Sequence, residues 1–328
     1  MGPSKIRASR LDGLSSPDIT SMMKHGLFDE SSRVQFAGHE TFPLRLLWLK
    51  KAYDAVGGGA PSGTFTEQEA IGRFGVGRNM AASMRYWALA TGFVGEADRL
   101  MKGTELANAV MADDGFDPYI EDAATVWLAH WHVAATPEMT TTAYYAFNGL
   151  SAIEFDPGSI SAALQSEAEA RGWRATRSTI KRDVEVFLRS YVRRSGSQSE
   201  DAAEPLLGEL GLIREARLGG WYEFVRGPKP TLHDGVFAFA LDQFWRRTGS
   251  SALTAEQVSY APGSPGRVFK LDEDSVVTRL MAMPKLTQGA WGWTDTAGLR
   301  QVQRISDVDP LALVAAAYGA NMDRAKAA

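Results

Sequence analysis

His39 and Glu40 stand side by side, with Arg45 one to two helical turns further on. A histidine can act as general base or acid, a glutamate can hold a metal, and an arginine can clamp a phosphate. Those are the parts that hydrolysis of a phosphodiester needs, so His39, Glu40 and Arg45 form the first candidate catalytic set. The plainer alternative is that His39 and Glu40 serve the start of a helix electrostatically while Arg45 makes a salt bridge. His233, Asp234 and Arg267 form a sparser second set, in which Arg267 either binds phosphate or braces its loop. Other pairs fail on geometry. Asp183 and Glu185 lie two apart on a helix, ~200° around its axis, and cannot chelate one ion together. The first reads as a cap-proximal acid and the second as a solvated or cytosine-facing acid. His130 and His132 diverge in the same way and read as packed or surface histidines. The acids Asp113, Asp114, Asp117, Glu121 and Asp122 are accounted for by helix capping and dipole compensation ahead of metal binding.

Cations carried on helices are the other chemistry-bearing feature. Gly75-Val76-Gly77-Arg78-Asn79-Met80 predicts a tight turn and then a helix, since glycine reaches the conformations a short inter-helix turn demands. A short helix before it, with Thr66 as N-cap and Glu69 as capping-box partner, completes a helix-turn-helix. Met80, Met84, Trp87, Ala88 and Thr91 recur at helical spacing and predict the buried face. Arg78, Ala81, Ala82, Arg85 and Leu89 fall opposite, where alanines allow close approach and arginines supply charge. Arg78, Asn79 and Arg85 are therefore the expected nucleic-acid contacts, because the first turns of a recognition helix face the major groove. A helical hairpin with a solvated arginine face would present the same pattern.

A second basic helix lies within residues 171–194, where eight Lys or Arg stand against two acids. Ile180, Val184, Phe187, Leu188 and Tyr191 form its apolar stripe, and Ser178, Lys181, Arg182, Glu185 and Arg189 share the other face. Thr179, Lys181, Arg182 and Arg189 are its expected DNA contacts. Alternation in Trp221-Tyr222-Glu223-Phe224-Val225 after Gly219-Gly220 suits a β wing.

The elements needed to position these residues predict a mainly α fold with small β wings, organised as tandem winged-helix (helix-turn-helix) units. The expected divisions are a flexible leader (1–32), an N-terminal winged helix-turn-helix (33–110), a helical segment plus a second winged-helix-like unit (111–232), and a mostly helical C-terminal domain (233–328). Within them we expect a helix entered near Pro43, a strand pair from Gly92 to Met101, and a helix opened by Asp117 as N-cap with Pro118 at its first position. Residues 195–204 read as a mobile loop. Further on come helices over 237–247 and 272–283 and a hairpin over 291–305.

Composition narrows the classes. The 328 residues are 45% hydrophobic with nine tryptophans, enough for a substantial core. The lack of cysteine excludes disulfides, thiolate zinc fingers and iron–sulfur clusters. With 35 Lys and Arg against 39 Asp and Glu the net charge is −4, so any footprint on DNA has to be local. No apolar run of ~18 residues or signal core is present, which points to a cytoplasmic protein with no membrane contact. No organic cofactor is implied.

Four motifs occur in order: His39-Glu40-Thr41-Phe42-Pro43-Leu44-Arg45, Gly75 to Met80, Asp117-Pro118-Tyr119-Ile120-Glu121-Asp122, and Ser264-Pro265-Gly266-Arg267-Val268-Phe269-Lys270-Leu271. Together they span about 33–310 and resemble a bacterial family found beside genes for proteins like phosphoadenosine phosphosulfate reductase. Its best-known member is the nickase component of the Ssp system, which places a phosphorothioate on one DNA strand in antiphage defence. The resemblance implies a DNA-nicking endonuclease acting on double-stranded DNA with a cysteine desulfurase, an ATPase and an ATP-pyrophosphatase-like enzyme. It carries over no catalytic residue. Hydrolytic nicking often draws on a divalent metal, here Mg or Mn, held by carboxylates. The alternative is a non-catalytic DNA-binding adaptor or regulator that recruits the sulfur-modification enzymes. A homodimer is compatible with either, since two-fold dimers are common for such units.

Overall fold

Three times along the chain the same order recurs: a helix, a short strand, two or more helices, and a two-stranded hairpin. The computed structural model describes residues 27–28, 32–66, 68–192, 205–217, 219–296 and 298–319. The first round comprises α1 (Leu46–Val56), β1 (Ala60–Pro61), a 3-10 turn (Ser62–Phe65), α2 (Gln68–Phe74), α3 (Arg78–Ala90), β2 (Val94–Ala97) and β3 (Leu100–Gly103). Helices α4 (Glu105–Met111) and α5 (Ala123–Ala135) lead to the second round. It comprises α6 (Thr141–Asn148), β4 (Glu154–Phe155), α7 (Pro157–Arg171), α8 (Arg177–Tyr191), a 3-10 turn (Leu206–Leu210), β5 (Ile213–Arg217) and β6 (Trp221–Phe224). The third holds α9 (Asp234–Thr248), β7 (Ala252–Thr254), α10 (Ala255–Tyr260), α11 (Pro265–Val268), α12 (Glu273–Leu286), β8 (Trp291–Thr296) and β9 (Leu299–Arg304), and α13 (Pro310–Ala317) follows. Each round closes an antiparallel three-stranded sheet in which the last strand is central: β1-β3-β2, β4-β6-β5 and β7-β9-β8. The chain is thus mainly helical with small β-sheets.

The core follows from local patterns. α5 is apolar on nearly every side, so it is buried around its circumference, with Trp127 and Trp131 at its centre. α8 is amphipathic instead. Thr176 caps it by accepting from the Thr179 N–H, and its stripe Ile180, Val184, Phe187, Leu188 and Tyr191 is buried. Each such side chain contributes roughly 1.5–3 kcal/mol by leaving water. α13 lies against α9 at Gly235, where a Cβ would stand 2.5 Å from the Leu313 carbonyl oxygen. Just beyond α13, Tyr318 is 1% exposed, shares a 2.8 Å hydrogen bond with Thr125 and stacks on Phe116.

Several expectations shift in detail. α1 starts at Leu46, with Arg45 at its N-cap, a few residues beyond Pro43. The helix expected at Asp117 begins at Ala123, because Ile120 takes a left-handed φ of 60° and breaks the run. Asp122 is its cap, and buried Asp117 accepts from the N–H groups of Glu121 and Asp122 and from the Thr125 hydroxyl. On α3, Met84, Trp87, Ala88 and Thr91 are buried as expected and Met80 only half so. Ala81, expected on the open face, is fully buried. Thr66 ends the 3-10 turn and donates its hydroxyl to the Gly63 carbonyl, while the side chain of Glu69 lies outside the described residues. The loop over 195–204 also lies outside them, as does the leader except for Leu27, Phe28 and Ser32. Phe28 is fully buried, edge-on to Trp173. The hairpins at β2–β3 and β8–β9 match the expected segments. Among the described residues no helix is long and apolar enough to cross a membrane.

Candidate nucleic-acid interface

Gly75, at φ 66°, turns α2 into α3, and Gly77 occupies the N-cap of α3 with no side-chain cap. The first N–H groups of α3 are therefore not covered by a capping side chain, and its first turn carries no acid. Such an end is partially positive and suits an anion. Arg78 and Asn79 are exposed there, whereas most of the helix beyond is buried. Arg85 is set back. Its guanidinium pairs with Glu96 on β2, and its Nε is buried with no hydrogen-bond partner among the described residues. Glu96 competes with a phosphate for the Arg85 guanidinium.

α8 presents more charge. α7 ends at Gly172 in the left-handed conformation, and residues 172–176 lead into α8. Arg177, Lys181 and Arg182 are exposed on the first two turns, with Arg177 3.5 Å from Glu169. Arg182 Nε donates to the Ser178 carbonyl at 3.4 Å. Thr179 is half-buried and bonded to the cap residue Thr176. Arg189 is also half-buried, and its guanidinium donates to the Thr41 carbonyl at 3.1 Å.

Adjacent residues of the first catalytic set face opposite ways. His39 is 3% exposed, while Glu40, at φ 46°, is exposed. The Thr41 N–H donates to His39 Nδ1 at 3.2 Å, which leaves the ring proton of the neutral tautomer on Nε2, 2.7 Å from Asp183 Oδ1. Asp183 also accepts from the Ala37 N–H at 2.6 Å and the Thr142 hydroxyl at 2.8 Å. Both imidazole nitrogens are thus engaged. A void of about 20 Å³ adjoins the pair, room for one water. Burial pushes the Tyr86 phenol well above its ordinary value, and the Asp183 charge adds to the shift. Arg45 lies half-buried over the Trp48 ring, 5.3 Å from its centroid. His39, Glu40 and Arg45 are close in the chain but are not gathered on one open surface.

Asp183 is the partner that residue spacing missed as such. Its signal was present, since it falls three residues after Ile180 and four before Phe187 and so lies on the buried stripe of α8. A carboxylate there needs donors.

Several of the remaining candidates bond within the fold. His130 is fully buried, with Tyr191 hydroxyl on Nδ1 and the Val268 carbonyl on Nε2, and burial lowers its pKa to about 3. His132 is lowered to about 4 by burial and by Arg247. Arg267 donates through Nε and Nη2 to the Asn148 carbonyl, and buried Lys270 donates to that of Phe147. Both cations therefore close the C-terminal end of α6, where carbonyls are otherwise unpaired and the dipole is negative. His233 and Asp234 are exposed, with Asp234 paired to Arg279.

Among the described residues no three His, Asp or Glu converge so as to hold a metal ion; Asp117 and Asp122 accept from backbone N–H groups, and Asp113 lies 3.6 Å from Lys50.

No curated protein matches the chain. Two solved structures do. A crystal structure of SspB has a TM-score of 0.78 at 25% identity, and a magnesium ion-bound SspB crystal structure has a TM-score of 0.78 at 24%; each match covers 91% of this chain and 91% of the other. The resemblance to SspB extends over nearly the whole fold. The model of a family described as protein of unknown function (DUF4007) matches residues 36–318, and the chain belongs to that family.

Proposed function

We propose that this protein binds double-stranded DNA through winged-helix units and acts in an Ssp-type phosphorothioation system as its DNA-nicking component. The observation that carries the reading is the pair of exposed helix ends, Arg78 with Asn79 on α3 and Arg177 with Lys181 and Arg182 on α8. Each precedes a β-hairpin in the order helix, strand, helix, helix, hairpin, which is the order a winged-helix unit requires. In a chain of net charge −4 these cations are local, as a DNA footprint demands. Phosphates would sit at the helix ends, releasing counterions, and Asn79 or Arg78 would reach base edges.

The nicking role, and partnership with a cysteine desulfurase, an ATPase and an ATP-pyrophosphatase-like enzyme, rest on the likeness to SspB. Purified protein with magnesium or manganese should convert supercoiled plasmid to open circle; conversion no greater than in a protein-free control would sink the nicking role. Duplex affinity should fall steeply with added salt.

A second reading, a DNA-binding adaptor that recruits the modification enzymes, is favoured by two observations. His39 has both nitrogens engaged, and among the described residues no three His, Asp or Glu converge. Under it, DNA is shifted in a gel but migrates intact.

A further inference from the structure

The turn at residues 37–42 holds three non-glycine residues in the left-handed region, Ala37 at φ 65°, Glu40 at 46° and Thr41 at 69°. Each such residue costs on the order of 1 kcal/mol or more and persists only where its surroundings fix it. What fixes this turn comes from two helices. From α3, Tyr86 stands so close to Gly38 that a Cβ there would lie 2.4 Å from its ring, and Trp87 Nε1 donates to the Phe42 carbonyl at 3.0 Å. The His39 ring stacks near Trp87 and meets Tyr86 edge-on. From α8, Asp183 takes the His39 and Ala37 N–H groups, and Arg189 takes the Thr41 carbonyl. The turn is thus a wedge between the two helices whose ends carry the exposed cations.

Its placement on each helix matters. Asp183 adjoins Arg182 and Lys181, so its carboxylate pins the turn of α8 that bears them. Tyr86 and Trp87 lie about two turns, ~12 Å, along α3 from Arg78 and Asn79. We propose that the His39–Asp183 pair is a positioning device that fixes α3 relative to α8, so that one duplex engages both helix ends at once. This rests on the DNA-binding reading above. Two weak sites held at a fixed spacing gain roughly 10²–10⁴ in joint affinity, and lose that gain when the spacing is not held. His39 and Asp183 then act on DNA without touching it.

The test is fluorescence anisotropy with two labelled duplexes, one of about one helical turn and one of about three turns. Wild-type protein should bind the longer duplex far more tightly. His39→Ala should weaken the longer complex by about 10-fold or more while leaving the shorter within about two-fold. His39→Gln, whose amide N–H can donate to Asp183, should restore the longer complex. Thr142→Val, which removes one donor to Asp183 and alters none of the exposed cations, should give an intermediate loss, and it decides the matter if His39→Ala does not fold. Equal losses on both lengths would show a merely structural pair and overturn the proposal, as would a wild-type protein indifferent to length. If the wild type binds neither duplex, the DNA-binding reading fails first and takes this one with it.

Discussion

The second and third rounds of the chain share a strand order and use charge in opposite ways. In the second, the helix entering the hairpin is capped by Thr176 and exposes Arg177, Lys181 and Arg182 on its first turns. In the third, the corresponding helix α12 is capped by Asp272 and continues with Glu273 and Asp274. In the third round Arg267 and Lys270 turn inward to the end of α6 and Arg304 to buried Asp242, while Arg300 pairs with Glu273 at the surface. One arrangement offers charge to a polyanion, and the other consumes it in holding neighbours together. A shared topology therefore does not imply a shared partner, since side chains decide what each unit can bind.

The contrast can be broken at four points, beginning with the largest effect. Lys181→Glu combined with Arg182→Glu should lower duplex affinity roughly 100-fold near physiological salt and flatten the salt slope by about two, with an unchanged melting temperature. A variant that binds as wild type would remove α8 from the interface. Arg267→Ala should do the reverse. It strips the α6 terminus of a cation and two hydrogen bonds, costing about 2 kcal/mol in denaturant unfolding, and leaves affinity intact. Lost affinity without lost stability would return Arg267 to the binding surface.

Acid should act on the two histidines of α5 next. With pKa values of about 3 and about 4 against an ordinary 6.5, His130 and His132 bind fewer protons folded than unfolded. Stability is therefore complete above 6.5 and falls as pH drops through the window below it. His132→Leu should flatten the part of that decline above about pH 4, as read from unfolding midpoints against pH; a curve parallel to wild type would contradict the assignment. Smallest of all, Asp274→Lys should move duplex affinity by less than about two-fold, because one exposed cation on α12 does not recreate the set on α8. A larger gain would mean that the third round already lies beside DNA.

Much of the scaffold was legible because it is local. The Thr176 cap, the apolar stripe of α8, the glycine turn before α3 and the two hairpins follow from spacing within about a dozen residues. The start of α5 departs from the sequence expectation for a physical reason. Asp117 and Pro118 carry the chemistry of a helix opening, but the left-handed Ile120 delays the helix and leaves Asp122 as its cap. The candidate site was harder to read, since its decisive contacts cross the chain. His39 and Asp183 are 144 residues apart, and nothing in either segment alone reveals the other. The same holds for Arg85 with Glu96 and for the carbonyls that claim Arg267 and Lys270. Sequence patterns located cations that could meet DNA without telling which were already taken.

Tyr318 carries a different lesson. Seated between Thr125 and Phe116, with α13 closed over Gly235 just before it, the far end of the described chain is a structural part of its first half. Recurrence of topology here is not modularity. Cutting the chain between rounds would open interior surface on both pieces, so the three rounds should lose structure together, as a single cooperative unit, when the protein unfolds.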